Sequence, residues 1–519
     1  MPLRFPGYRS SHDHPPPLLL SAGGALVASL AVLPAVYLVV VAGQRGASGV
    51  AEVVLAPSTR VLLARSLGLA AAVTVSSAAV GTGLGWLMAR CNLPGRRIWR
   101  VLCALPLGLP SYVTALAYTT VWPSAGGLVA AWFVLTLLCY PLVFLPVMAM
   151  LTGADPALEE TARSLGDTRA RTFLRVTLPQ IRPAVAAGSL LVALFVASDF
   201  GAVSLLGVNT FTTIIYQSYL VGIDPPRGAV LGCVLLVFTL AIVAAEARTR
   251  GAARYHRSGG GPLSPISTGT KVGRWRWPAL LAPIAIALLS IGVPVASMLK
   301  GLTDAGRATI DVAHLGRGLR GSVLVSSLGA AVTVAAAVPV SLLAARHRNR
   351  LSSTFERSTW VGHALPGVVV ALSVAFFAVR FLPFLYRRLP VLVFAHVVLF
   401  LPLAVSALHA RAVQVPVGFE ETARSLGQRP GRVFRTVTGP LLAPGLGTGL
   451  VLVFLASLKE LPATLLIGPF GFETLATQAW TAADAELGTA TQAAVPSLVL
   501  VTVGALATAL VFGRLIRHP

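Results

Sequence analysis

The residues with most chemistry in this sequence are two glutamate pairs in one repeated context. The string EETARSLG runs from Glu159 to Gly166 and again from Glu420 to Gly427, a displacement of 420 − 159 = 261 residues. Each copy predicts a short helix, a glycine bend and a second short helix. Asp155 is placed to accept from free backbone N–H groups of a helix that opens at Pro156, whose fixed φ suits a first turn. Glu159 and Glu160 then lie near the positive end of the helix dipole. Gly166 ends this helix in the left-handed region, and Pro179 closes a second helix over about Thr168 to Thr177. Pro416, Glu420, Glu421, Gly427 and Pro440 repeat the frame, with Val415 where the first copy has Ala154 and no aspartate at the cap. Such a knob is either a plain connector or a docking element for another protein.

A second group comprises ionisable residues in or beside apolar stretches, which are functional candidates by default because burying them in lipid costs about 2.5–3.5 kcal/mol. Asp199 corresponds through the same 261-residue displacement to Glu460, which adjoins Lys459; Glu473 follows in an acidic segment with Asp484 and Glu486. These residues either line one central path or form local ion pairs at span ends. The usual enzymatic signatures are absent. There is no G-x-x-x-x-G-K-[ST] phosphate loop, no H-E-x-x-H and no G-x-S-x-G, and Cys91, Cys103, Cys139 and Cys233 have no metal-knuckle spacing. The chain is expected to be a non-enzyme that binds no cofactor itself, with no metal site firmly assigned.

The elements that must position these residues are set by composition. Of 519 residues 55% are hydrophobic and 11% charged, too apolar for a water-facing surface. At about 20 apolar residues per crossing, the sequence predicts about twelve transmembrane helices in two groups of six. The first group is Leu18 to Val41, Val61 to Ala89, Val101 to Trp122, Leu128 to Leu151, Ala184 to Val208 and Gly228 to Ala247. The second is Trp277 to Leu299, Ser322 to Ala345, Thr359 to Leu382, Pro390 to Ala412, Gly445 to Ile467 and Gly488 to Phe512. The net charge of +23 comes from arginines clustered between spans. That is the positive-inside pattern, not a nucleic-acid stripe, and it places both termini in the cytoplasm of a plasma-membrane protein.

The 261-residue displacement continues without a gap through Phe173 and Phe434, Pro183 and Pro444, Gly188 and Gly449, and Gly207 and Gly468. The halves are duplicated copies, and their equal even span number makes them parallel repeats. The expected division is 1–247 with a loop at 152–183, a cytoplasmic linker at 248–276, and 277–519 with a loop at 413–444.

Glu160-Thr-Ala162, three residues, Gly166, nine residues and V-T-L-P ending at Pro179 resembles the cytoplasmic signature E-A-A-x-x-x-G-x(9)-I-x-L-P of binding-protein-dependent ABC importer permeases. It departs at Thr161, Thr422, Val176, Val437 and Gly439. The segments SDFGAVS (198–204), LKELPAT (458–464) and GFETLAT (471–477) are similar to ferric-iron importer permeases. The resemblance implies an all-α fold, with two parallel six-helix permease repeats fused in one chain. It implies that Glu159, Glu160, Ala162, Arg163, Gly166 and Pro179, with Glu420, Glu421, Ala423, Arg424, Gly427 and Pro440, form ATPase-coupling loops. In these, Arg163 and Arg424 either dock or merely face solvent.

It also implies two nucleotide-binding subunits carrying ATP and magnesium, an extracytoplasmic substrate-binding protein, and one copy of this chain per transporter. Asp199, Glu460 and Glu473 supply the hard oxygen donors that iron(III) prefers, although carboxylates suit many cations, and thiamine or polyamine substrates remain open. The rival from another class is an ion-gradient-driven transporter of parallel repeats. A receptor or scaffold would carry a soluble signalling domain, and none is present.

Overall fold

The computed structural model describes residues 17–124, 126–154, 157–220, 224–254, 276–305, 311–347, 349–484 and 490–517. Asp155, Pro156, Glu486 and most of the 248–276 linker lie outside the described residues. Among those described, nine helices are long and apolar enough to cross a membrane, or up to eleven if each of two sharply bent helix pairs is one span. The chain is thus an all-α polytopic protein, close to the expected twelve.

The differences from continuous spans have local causes. The expected span Val101 to Trp122 is broken, with Arg96–Gly108 and Ser111–Val121 meeting at 96°, because Pro106 and Pro110 interrupt the helical ladder. The expected Thr359 to Leu382 span is likewise Arg350–Ala364 and Gly367–Phe381 around Pro366. Expected spans five and eleven stop early: Leu178–Ser198 is followed by a separate Gly201–Leu205, and Gly439–Leu458 by Pro462–Ile467. The last helix runs Ala490–Arg517.

Contacts divide the chain into two compact units that do not follow the sequence halves. One is 1–50, 224–233 and 316–474; the other is 51–223, 234–315 and 475–519. In the first, helix Leu18–Gly43 packs with helices of the second repeat, where Tyr37 meets Phe377 and Phe381 edge-on at 5.5 and 5.9 Å. In the second, the segment Arg276–Ala305 packs with first-repeat helices, and Tyr118 Oη donates to the Leu289 carbonyl at 2.8 Å. That carbonyl is available because Leu288–Gly292 is a π-helical turn and the residue five further on, Pro294, has no N–H to offer. Each repeat thus contributes its leading helix to the other's core.

Within the second unit, helices Pro57–Arg90, Pro141–Thr152 and Leu178–Ser198 approach closely through small residues. A Cβ on Gly81 would come within 2.7 Å of the Tyr140 carbonyl oxygen, and one on Gly188 within 2.7 Å of the Leu142 carbonyl oxygen. Close backbone contact of this kind holds helices together where lipid removes the hydrophobic drive.

Candidate functional site: the duplicated knob

Both copies of EETARSLG fold as one helix with one terminator. The helices are Ala157–Ser164 and Gly418–Ser425, each with its two glutamates in the first turn; Arg163 and Arg424 occupy the last turns, the placement a helix dipole favours. Thr161 and Thr422, which depart from the family's alanine, satisfy their hydroxyls by donating to the carbonyls of Ala157 and Gly418, each at 2.8 Å.

The glycines close both helices in the same double-bonded turn. Asp167 N–H donates to the Ala162 carbonyl at 3.1 Å and Gly166 N–H to that of Arg163 at 3.1 Å; in the second copy Gln428 donates to Ala423 at 3.1 Å and Gly427 to Arg424 at 2.9 Å. This Schellman arrangement needs a left-handed residue, and Gly166 has φ 94° and Gly427 φ 79°. Ala162 and Ala423 thus act through their carbonyls.

The second helix of the knob does not end at proline as expected. It runs from Arg169–Thr172 through a π-helical turn at Phe173–Thr177 into Leu178–Ser198, making one 29-residue helix over Ala170–Ser198. The second copy has a π turn at Phe434–Thr438 within Pro430–Leu458. Both π turns, like Leu288–Gly292, end two residues before a proline, here Pro179 and Pro440. A proline ring clashes with the carbonyl four residues back and donates no bond; the wider turn accommodates both. Each knob is therefore continuous with a membrane-length helix.

Adjacent glutamates have opposite surroundings. Glu160 and Glu421 are exposed, whereas Glu159 and Glu420 are buried. Arg90, the last residue of helix Pro57–Arg90, donates Nε to Glu159 Oε1 at 3.1 Å and Nη2 to the Ala154 carbonyl at 3.4 Å. Arg346, the last residue of Val312–Arg346, donates Nη2 to Glu420 Oε1 at 2.9 Å and Nη1 to the Val415 carbonyl at 2.8 Å. All four side chains are only 10–11% exposed. Arg163 and Arg424 turn back on their own helices: Arg163 Nε donates to the Glu159 carbonyl at 3.3 Å, and Arg424 Nη2 lies 3.5 Å from Glu420 Oε2.

Sequence reasoning placed Arg90 and Arg346 only in basic clusters. The signal was present but offset: 346 − 90 = 256 whereas 420 − 159 = 261, so the arginines fall into register only across a five-residue gap. Each knob also displays uncovered apolar side chains, with Leu165 83% and Leu426 76% exposed, and Leu158 and Phe419 exposed at matching positions.

The candidate path residues sit at helix breaks. Asp199 Oδ1 accepts from Ala202 N–H at 3.0 Å and Val203 N–H at 3.3 Å, and the Asp199 carbonyl accepts from Thr212 Oγ1 at 2.7 Å. Glu460 Oε1 accepts from Ala463 N–H at 2.9 Å, beside Gly367, where a Cβ would lie 2.9 Å from that oxygen. Both carboxylates therefore cap the short helices that follow them. Lys459 caps the C-terminal end of Gly439–Leu458. Glu473 Oε2 lies 3.8 Å from Arg317 Nε. No group of three or more His, Cys, Asp or Glu that could hold a metal occurs among the described residues. Asp199→Ala is expected to destabilise the purified protein by about 0.5–2 kcal/mol, and Asp199→Asn by less, because asparagine still accepts the two N–H bonds; thermal unfolding in detergent checks the order.

Comparison with known proteins decides what kind of molecule carries these features. The family described as "Binding-protein-dependent transport system inner membrane component" matches twice, over residues 81–248 and 337–517. The chain belongs to this family. It is similar to the "Fe(3+)-transport system permease protein FbpB 2" of Haemophilus influenzae, 32% identical over 490 residues, covering 92% of this chain and 95% of that one. It is also similar to the "Putrescine transport system permease protein PotI" of Escherichia coli, 28% identical over 183 residues, 33% of this chain and 65% of the relative. The "Sulfate transport system permease protein CysT" of Escherichia coli is 26% identical over 251 residues, 44% of this chain and 90% of the relative. The duplicated match makes this chain a fused double permease of an ABC importer, a membrane transport component rather than an enzyme, and the ion-gradient alternative is set aside. ATPase and substrate-binding partners belong to such a system.

Proposed function

We propose that this permease forms the path for iron(III) across the plasma membrane, and that its two knobs each engage one nucleotide-binding subunit. The observation that carries the reading is the duplicated knob itself. Two copies share one Schellman terminator, one exposed glutamate and one exposed leucine tip, on a chain without a phosphate loop of its own. A connector has no need to hold an apolar tip in water twice, whereas a partner cleft would cover it. Glu160 and Glu421 supply charge, and Leu165 and Leu426 apolar area, for that contact. ATP and magnesium reside on the partner subunits. Basic residues beside the knobs favour the cytoplasm for them and for both termini.

Iron(III) is supported by similarity over nearly the whole chain to a permease named for Fe(3+) transport, and by the hard oxygen donors of Asp199 and Glu460 at corresponding places in the two repeats. The putrescine and sulfate permeases align with less than half of this chain. The test is uptake into proteoliposomes holding this chain, its ATPase subunits and its binding protein. ATP-dependent accumulation of radiolabelled iron(III), undiminished by excess putrescine, thiamine or sulfate, is expected. Accumulation of one of those solutes with iron(III) excluded would overturn the substrate.

A further inference from the structure

We propose that Arg90 and Arg346 are positioning residues that tie each knob to a third membrane-length helix, so that motion of the knob is imposed on three spans rather than only on the two that flank it in the chain. The proposal rests on the reading of the knobs as ATPase-docking elements. In the chain each knob lies between two long helices, Gly127–Thr152 and Ala170–Ser198 in the first copy and Leu389–Gln414 and Pro430–Leu458 in the second. Nothing covalent joins it at close range to a third long helix, Pro57–Arg90 or Val312–Arg346; the clamp is the connection.

Its form suits that task. One guanidinium holds two points of the knob at once, the carboxylate in the first turn of the helix and the backbone carbonyl just before the helix begins. That carbonyl belongs to Ala154 in one copy and Val415 in the other, and 415 − 154 = 261, the same displacement as the glutamates. A planar fork of donors fixes direction as well as distance, which a lysine ammonium cannot. Burial to about one-tenth exposure shields both pairs from the solvent screening that makes surface ion pairs weak.

The two clamps are not equal. The second is shorter at both contacts, and its Glu420 also faces Arg424 at 3.5 Å, while in the first copy Arg163 donates to the Glu159 backbone carbonyl. The second clamp is therefore the closer of the two, although Arg90 also places Nη1 3.5 Å from the Ala154 carbonyl.

Among the described residues the neighbouring exposed glutamates carry no such tie, which separates the roles of the pair. Glu160 and Glu421 face a partner, and Glu159 and Glu420 face the arginines. A plain connector would need neither division.

The experiment uses the complete transporter in proteoliposomes and reads three quantities: ATPase subunits retained on purification, ATP hydrolysis rate, and radiolabelled iron(III) imported per ATP hydrolysed. With Arg90→Gln and Arg346→Gln together, retention and hydrolysis should persist while import per ATP falls about tenfold or more; Arg→Lys at both places should recover part of it, since charge without the fork keeps one of the two contacts. Arg346→Gln alone should be more damaging than Arg90→Gln alone. If the stranded glutamates lower the amount of complex, the chain with Glu159→Gln and Glu420→Gln added leaves no unpaired buried charge and should show the same loss per ATP.

Unchanged import per ATP in the glutamine chains, lysine no better than glutamine, or loss of the ATPase subunits would each overturn the clamp as a tie. A wild-type chain that retains no ATPase subunit would instead overturn the docking reading, and the clamp with it.

Discussion

Proline at both knob glycines, Gly166→Pro with Gly427→Pro, is expected to reduce transport to background while the protein still accumulates in the membrane. Both glycines sit at positive φ, 94° and 79°, and proline is held near −65°. Each glycine N–H also closes the terminator by donating to Arg163 or Arg424, and proline has no N–H to donate. The angle at which the knob's first helix leaves the membrane-length helix would be lost in both copies at once. Alanine at the same positions costs only about 1–2 kcal/mol for a left-handed L-residue and keeps the N–H, so Gly166→Ala with Gly427→Ala should retain much of the uptake. Insertion should survive both changes because neither lies in an apolar span. Uptake assays normalised to membrane-bound protein check the order glycine, alanine, proline; wild-type uptake by the proline chain would show that the knob's geometry is irrelevant to transport.

Much of this architecture was legible because lipid imposes simple rules. Apolar length located the helices, and the EETARSLG repeat located both knobs, since a helix start, two early glutamates and a terminal glycine are local features that need no tertiary context. What sequence could not supply was long-range pairing. Arg90 and Glu159 are 69 residues apart and Arg346 and Glu420 are 74 apart, and the unequal spacing hides their correspondence. Glu159 and Glu160 are chemically identical letters, so which of them is buried follows only from where Arg90 ends its helix.

Pro179 misled for a related reason. In isolation it reads as a helix end, but the π turn before it absorbs the missing bond and the helix continues. Asp199 and Glu460 were recognised as costly charges, yet the break in each span was not, so their capping of Gly201–Leu205 and Pro462–Ile467 was invisible. The exchange of leading helices between repeats had no sequence signal either, because nothing in the apolar faces of Leu18–Gly43 or Arg276–Ala305 names the helix it will meet.

That exchange bears on the largest remaining expectation, the composition of the working transporter. Each repeat contributes a knob, and each compact unit already contains helices from both repeats, so a single chain supplies what a pair of separate permeases would. With no phosphate loop, the chain alone should hydrolyse no ATP, and hydrolysis should appear only when nucleotide-binding subunits are bound. Native mass spectrometry of the purified, ATP-hydrolysing complex tests this most directly. The account predicts one copy of this chain with two nucleotide-binding subunits; a minimal active complex holding two copies of this chain with two such subunits, or ATP hydrolysis by the chain alone, would contradict it.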